Sequence, residues 1–345
     1  MDRLVATFIG IEDNNSIYLF EINSEKKRFY IKKTEQYYIQ NRLIPTFKYF
    51  IEVDGNTIID VEFYDKSNIK GNIKNYTPGL KTIKNFIKIL LAPLGNTLYI
   101  YGGGWNIQDD GASFITKTIG VFPYWEKFYN NTDANYSYKN DTYPKNGWNE
   151  YYYAGLDCAG YIGWAIYNMM NTQNEINDGF VYKSSILAQT LANHYNFGVW
   201  ERPNTNNYKE IINMLHPGDI ISIEGHVYAV IGKCSDDSAI IIHSTVSPSI
   251  TGVKGGGVQL SALNPNNAST CDAYKLIQKY MEQYYGQWVK RYPPVMKPVE
   301  IYLDFSKEDL GIFSWHINEG NLTDPEGIRN MDAKNVLIET MGEKY

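Results

Sequence analysis

The sequence predicts an α+β protein, with a small all-β unit at its N-terminus and a larger mixed unit after it. Three observations carry this. The first 65 residues hold short β-rich runs and no helical periodicity. From residue 77 onward, apolar residues recur at helical spacing in several segments. Between residues 220 and 245, two β-rich runs meet across a polar turn. A length of 345 residues fits two domains, or one large domain with an appendage.

Leu4 to Ile11, Ile17 to Ile22 and Arg28 to Lys33 are strand-like runs separated by Asn, Asp, Ser and Lys turns. Tyr49 to Val53 and Thr57 to Phe63 flank Asp54-Gly55-Asn56, a strong hairpin signal. Five such strands fit a small barrel of the SH3-like or OB-like kind over residues 1–66. Lys66 to Tyr76 is polar and aperiodic and reads as a linker. Thr77-Pro78 supplies a cap residue and a first-turn proline for a helix. Leu80, Ile83, Phe86, Ile87, Leu90, Leu91 and Leu94 make its apolar stripe, and Pro93 and Gly95 end it.

Thr97 to Tyr101 then runs into Gly102-Gly103-Gly104-Trp105-Asn106. No Lys-Ser/Thr follows, so these glycines form no phosphate loop; they fit a close backbone approach, to another segment or to a ligand. Residues 106–150 are dense in Tyr, Trp, Asn and Asp and long for a connection. They fit either a lid or an Ω-like loop packed on its own aromatics. After a helix opened by Cys158, Ser184 to Tyr195 forms another, with His194 as a terminal polar residue. Tyr208 to Leu215 is a short amphipathic helix or turn ended by His216-Pro217-Gly218-Asp219, with His216 at the surface. Ile220 to Gly232 is β by composition, and Ser238 to Thr245 is the strand after it. Ser269 to Arg291 reads as a helix and Val299 to Leu303 as a final strand. A tail over 305–345 holds Trp315, His316 and a short helix from Asp332 to Met341.

Composition narrows the function classes. A net charge of −6 without a basic block argues against nucleic-acid binding. Three cysteines, at 158, 234 and 271, form no CxxC, and the five histidines form no metal-ligand spacing, so neither a disulfide scaffold nor a metal site is expected. No apolar stretch is long enough to span a membrane. Met1 to Gly10 lacks the n-region and long h-region of a secretion signal. The expectation is a cell-wall or extracellular protein if a signal was removed or export is non-classical, and a cytoplasmic one otherwise.

The chemistry centres on Gly155-Leu156-Asp157-Cys158-Ala159-Gly160. Ile162, Trp164, Ala165, Ile166, Met169 and Met170 follow at helical spacing, which puts Cys158 in the first turn of a buried helix. Unpaired N–H groups and the positive end of the helix dipole favour a thiolate there. Without context, such a cysteine is a small core hydrophobe. The context is His226 and His243, one on each arm of the hairpin. If Gly232 pairs with Ala239, the two histidines share a face; a slip of one residue separates them. A cysteine nucleophile needs a base, and the base needs a third group that fixes its tautomer. Cys158, His226 and His243 can fill these roles, with N–H groups at the helix start stabilising an oxyanion.

Five motifs occur in order: Tyr99-Ile100-Tyr101-Gly102-Gly103-Gly104, Asp157-Cys158-Ala159-Gly160, Pro217-Gly218-Asp219, Gly225-His226-Val227 and Ile242-His243-Ser244. In this the chain resembles the NlpC/P60 family of cysteine peptidases, papain-like enzymes that cleave peptidoglycan stem peptides. The resemblance covers residues 77–260. It implies a papain-like domain over 77–304, helices packed on an antiparallel sheet, with a long insertion at 106–150 and the 305–345 tail outside it. It also implies Cys158 as nucleophile, His226 as general base and acid, and His243 as orienting third member. Asp157 matches a position that helps bind the free amino end of the stem peptide, and Tyr101 a tyrosine near the nucleophile. Trp105, Ala159 and Tyr228 complete the substrate-binding candidates. Ala159 replaces the usual Ser, and Tyr228 stands where a small residue is common, narrowing the groove.

The resemblance thus implies an endopeptidase acting on peptidoglycan or muropeptides at a γ-D-glutamyl–diamino acid bond, with no cofactor. The alternatives are a related cell-wall amidase or acyltransferase, and a catalytically silent binding protein of the same fold.

Overall fold

The computed structural model describes residues 1–12, 17–32, 34–35, 39, 42–65, 70–106, 108–142, 151–172, 178–317 and 322–342. It is a mixed α+β protein built on two sheets. The first sheet is a closed barrel of β1 (Asp2–Glu12), β2 (Ile17–Ile22), β3 (Glu25–Ile31), β4 (Lys48–Asp54) and β5 (Thr57–Phe63), in the order β1-β2-β3-β5-β4. Period-two alternation drives it: Tyr18, Phe20, Ile22, Tyr49, Ile51 and Val53 point into a separate small core. Asp54 pairs with Thr57 around Gly55, whose φ is +59°, as the Asp-Gly-Asn signal predicts. Phe47 and Phe63 lean out of the barrel onto Phe122 and Phe114, with ring centroids 6.4 and 5.1 Å apart, and so dock it on the rest of the chain.

The second sheet contains β6 (Gly198–Glu201), β7 (Ile220–Ile223), β8 (His226–Lys233), β9 (Ala239–Thr245), β10 (Gly257–Leu263), β11 (Val295–Met296) and β12 (Gly311–Trp315). Their spatial order is β11-β10-β9-β8-β7-β12-β6, antiparallel except for the β10–β11 pair. Each face covers its own core. Val227, Ala229, Ile240 and Ile242 pack with the Cys158–Met170 helix in the large cluster. Tyr228, Val230, Ile241 and Leu263 pack with Tyr302 and Ile312 in a second one. The Cys158–Met170 helix is buried on nearly every side, as a helix apolar all round must be.

Several expected elements differ. The first large helix runs Ile83–Leu91, not from Thr77; Thr82 caps it by accepting from the Asn85 N–H. Pro78 instead precedes a turn in which Gly79 has φ +76°. The run Ile220 to Gly232 is two strands, because Gly225 (φ +66°) closes a two-residue hairpin that pairs Ile223 with His226. Val299 to Leu303 is no strand: Val299–Tyr302 is helical, started by Pro298 with Glu300 in the first turn.

Where they are described, residues 106–150 pack partly on their own aromatics, as Phe122 on Tyr124 and Phe128 on Tyr136, and also carry a helix and core residues. The Pro123–Asn130 helix lies within them, and Ile115, Phe122 and Trp125 enter the main core, Trp125 against Trp164 at 5.5 Å. Residues 107 and 143–150 lie outside the described residues, as do Lys66 to Ile69 of the expected linker. The rest of that linker is held in place, with Asn72 bridged to Val121.

The 305–345 segment is not an appendage. β12 sits between β7 and β6, and the Ala333–Met341 helix lays Ala333 on Gly232 of β8, where a Cβ would come within 2.8 Å of the Ala333 Cα. Asp219 of the Pro-Gly-Asp turn ties this segment down. Fully buried, it accepts from Ser314 Oγ at 2.8 Å and pairs with Arg329.

Candidate active site

The site lies where β8 begins. The Cys158 helix reaches this end of the sheet from one face and the two histidines from the other. Asp157 caps the helix, accepting from the Gly160 N–H at 2.7 Å, while its own N–H donates to Gly103 O at 2.9 Å. The glycine triplet makes this possible by backbone contact, and the partner is another segment of the chain. Gly104 has φ +104°, and a Cβ there would lie 2.6 Å from the Gly160 Cα.

The hairpin register carries one surprise. Gly232 pairs with Ile240, not Ala239, a slip that by itself would put the histidines on opposite faces. A bulge between Val230 and Gly232 absorbs the slip, so Val230 pairs with Ile241 and Ala229 with Ile242. His226 and His243 therefore share a face. His226 Nε2 lies 2.8 Å from His243 Nδ1, and His243 Nε2 lies 2.9 Å from Ser261 Oγ on β10. Each ring nitrogen is either donor or acceptor when neutral, so the chain has linked proton positions. If His243 Nε2–H donates to Ser261, then His226 Nε2–H donates to His243, and His226 Nδ1 keeps a free lone pair.

Cys158 is 7 % exposed, and its thiol faces the backbone N–H of Val227, the residue after His226. Among the described residues, no hydrogen bond joins the thiol to the His226 ring. Burial, then the charge of Asp157, pushes the thiol up to about 12. Burial, then the Lys297 charge, holds His226 down at about 3 and His243 well below the usual imidazole range. The resting pair is thus a neutral thiol and neutral imidazoles. This corrects the expectation of a depressed thiol: desolvation outweighs the helix N-terminus. Asp157 itself is raised to about 7 by burial, opposed by the Gly160 N–H, the Trp105 indole and the Ala159 N–H. The Gly160 N–H at the helix start is therefore already engaged by Asp157 rather than open to an oxyanion.

Of the substrate-binding candidates, Trp105 stands beside Asp157 and Tyr101 is 43 % exposed. Ala159 and Tyr228 are buried, at 2 % and 0 % exposed. The Ala159 methyl joins the main core, and the Tyr228 hydroxyl donates to the Tyr302 carbonyl. Sequence reasoning missed Ser261, Tyr302 and Lys297. The Tyr302 ring lies 5.6 Å from His226 and 5.7 Å from His243, with the Lys297 Nζ over it at 5.6 Å. Ser261 was findable: Val258-Gln259-Leu260-Ser261-Ala262-Leu263 carries an alternating strand pattern. Nothing local marks Lys297 or Tyr302.

Among the described residues, no helix is long and apolar enough to cross a membrane, and no three His, Cys, Asp or Glu side chains cluster as metal ligands. Comparison of the chain with protein-family models, curated proteins and solved structures returns no match.

Proposed function

We propose that the chain is a cysteine peptidase of the NlpC/P60 kind, with a papain-like domain behind an SH3-like barrel, acting on peptidoglycan stem peptides. The observation that carries this is the Ser261–His243–His226 chain, which ends at the start of β8, the strand whose Val227 N–H meets the Cys158 thiol. In this reading, Cys158 Sγ attacks an amide carbonyl and His226 Nδ1 takes the thiol proton. His243 and Ser261 hold the base in the tautomer that leaves Nδ1 free. His226 then protonates the leaving amine, and water hydrolyses the thioester. Asp157 meets the free amino end of the stem peptide, since an ammonium beside it offsets its burial and lowers its pKa again. The scissile bond is the γ-D-glutamyl–diamino acid bond.

The test is incubation of the protein with muropeptides, with mass analysis of the products. An endopeptidase cuts within the stem peptide, whereas an amidase frees the stem from the sugar. Cleavage that survives Cys158→Ala rules out the mechanism. A second reading, a catalytically silent binding protein, is favoured by the enclosed thiol and the missing thiol–imidazole bond. It predicts intact muropeptides that nevertheless co-sediment with the protein.

A further inference from the structure

Away from the candidate active site, a cleft of about 570 Å³ opens between the Asp272–Tyr284 helix, the start of the Ala333–Met341 helix and the β8–β9 turn. That volume lies in the range of small-molecule sites. Leu276, Met331 and Cys234 are its apolar members, and Lys233, Lys275, Lys279 and Lys334 line it too. Such a concentration of lysines is unexpected in a chain of net charge −6.

The two acids of the cleft leave its four lysines in excess. Asp332 is used as a helix cap, accepting from the Asn335 N–H at 2.8 Å, and Asp272 pairs with Lys275 at 3.5 Å. Lys233 donates to the Asn213 carbonyl at 2.7 Å. Among the described residues, Lys279 and Lys334 have no acidic partner. Lys275 and Lys279 also stand four residues apart on one helix, a spacing at which like charges repel. Leu276 shares their face, so the lysine stems border an apolar surface while their ammonium groups stay in water.

We propose that this cleft binds an amphipathic organic anion: a small molecule with an apolar body and a carboxylate, sulfonate or phosphate head. The head sits between Lys279 and Lys334, and the body lies on Leu276 and Met331. The proposal is independent of the chemistry at Cys158.

Anilinonaphthalene sulfonate is the probe, read by fluorescence, and the alkylation rate of Cys234, read by peptide mass mapping, is the reporter. Expected are saturable binding and protection of Cys234 at saturation. Dodecanoate displaces the probe and inorganic phosphate does not. Lys279→Glu/Lys334→Glu weakens binding about tenfold, while Lys26→Glu/Lys27→Glu on the barrel leaves it unchanged. Unprotected Cys234 overturns the proposal, as does equal affinity in the cleft variant. Displacement by phosphate as effective as by dodecanoate overturns the apolar half of the site.

Discussion

Replacing Asp157 with Asn isolates the charge beside the candidate nucleophile. Asn retains the oxygen that accepts from the Gly160 N–H and caps a helix as well as Asp does, so the helix start stays formed. What disappears is the negative charge that, after burial, holds the Cys158 thiol at about 12. At that value about one thiol in 100,000 is ionised at pH 7, against about one in a hundred at the ordinary 9.0. A neighbouring like charge moves a titrating group by about one pKa unit or more, so the Asn variant gains thiolate on the order of tenfold. Asp157 ionises only near pH 7, which confines the gain to higher pH. The assay is the rate of Cys158 alkylation by iodoacetamide, with peptide mapping to separate it from Cys234 and Cys271. Both proteins should label alike below about pH 6 and diverge above pH 7. A gain of equal size at every pH, or none at about pH 9, refutes the electrostatic assignment. The same substitution also has a stability signature. The folded chain keeps a proton on Asp157 that the unfolded chain has released. That contribution is full below pH 3.8 and is lost as pH rises to about 7, on the order of 4 kcal/mol. The Asn variant lacks that decline, which urea unfolding at about pH 5 and about pH 8 measures.

His243→Ala strips both His226 Nε2 and Ser261 Oγ of a partner and leaves a cavity, a loss of about 3 kcal/mol in urea unfolding. The buried neutral histidines set an acid limit: their contribution is full above the ordinary 6.5 and falls as pH drops below it, down to about pH 3 for His226, as the unfolded chain takes up protons they refuse. His243→Ala should therefore flatten that acid-side slope, as a series of urea midpoints will report. Gly104→Ala forces a side chain onto a backbone with φ +104°, against the Gly160 Cα, and should lower stability by about 2–4 kcal/mol with loss of any muropeptide cleavage. Removing residues 311–342 takes out β12, on which β6 and β7 both pair, and should abolish soluble folded protein, as circular dichroism of the purified chain reports.

Local sequence carried the barrel strands well, because each side chain there alternates between one small core and water, and the Asp-Gly-Asn turn fixes one pairing. It also placed Cys158 at a buried helix start, since apolar residues on every side leave no surface for such a helix. It failed where partners lie far apart in the chain. Val299–Tyr302 has a β-branched composition, yet Pro298 and the packing of Tyr302 on Tyr228 make it helical. Gly311–Trp315 is a strand only because β6 and β7 offer edges about a hundred residues earlier. The aromatic-rich 106–150 segment gave no period, and its helix is held by Trp125 packing on Trp164.

The order of Cys158, His226 and His243, and their placement on a helix start and two strands, were fixed by the residues themselves, because caps, turns and periodicity are local. Whether the two imidazoles would meet was not. The turn pairs Gly232 with Ile240, and only the bulge before it returns His243 to the face of His226. The protonation of the site was equally beyond the sequence. A helix N-terminus favours a thiolate, but the enclosure of Cys158 and the nearby Asp157 and Lys297 charges leave the thiol and both imidazoles neutral. Desolvation depends on what covers a group in three dimensions, and most of what covers this one comes from elsewhere in the chain.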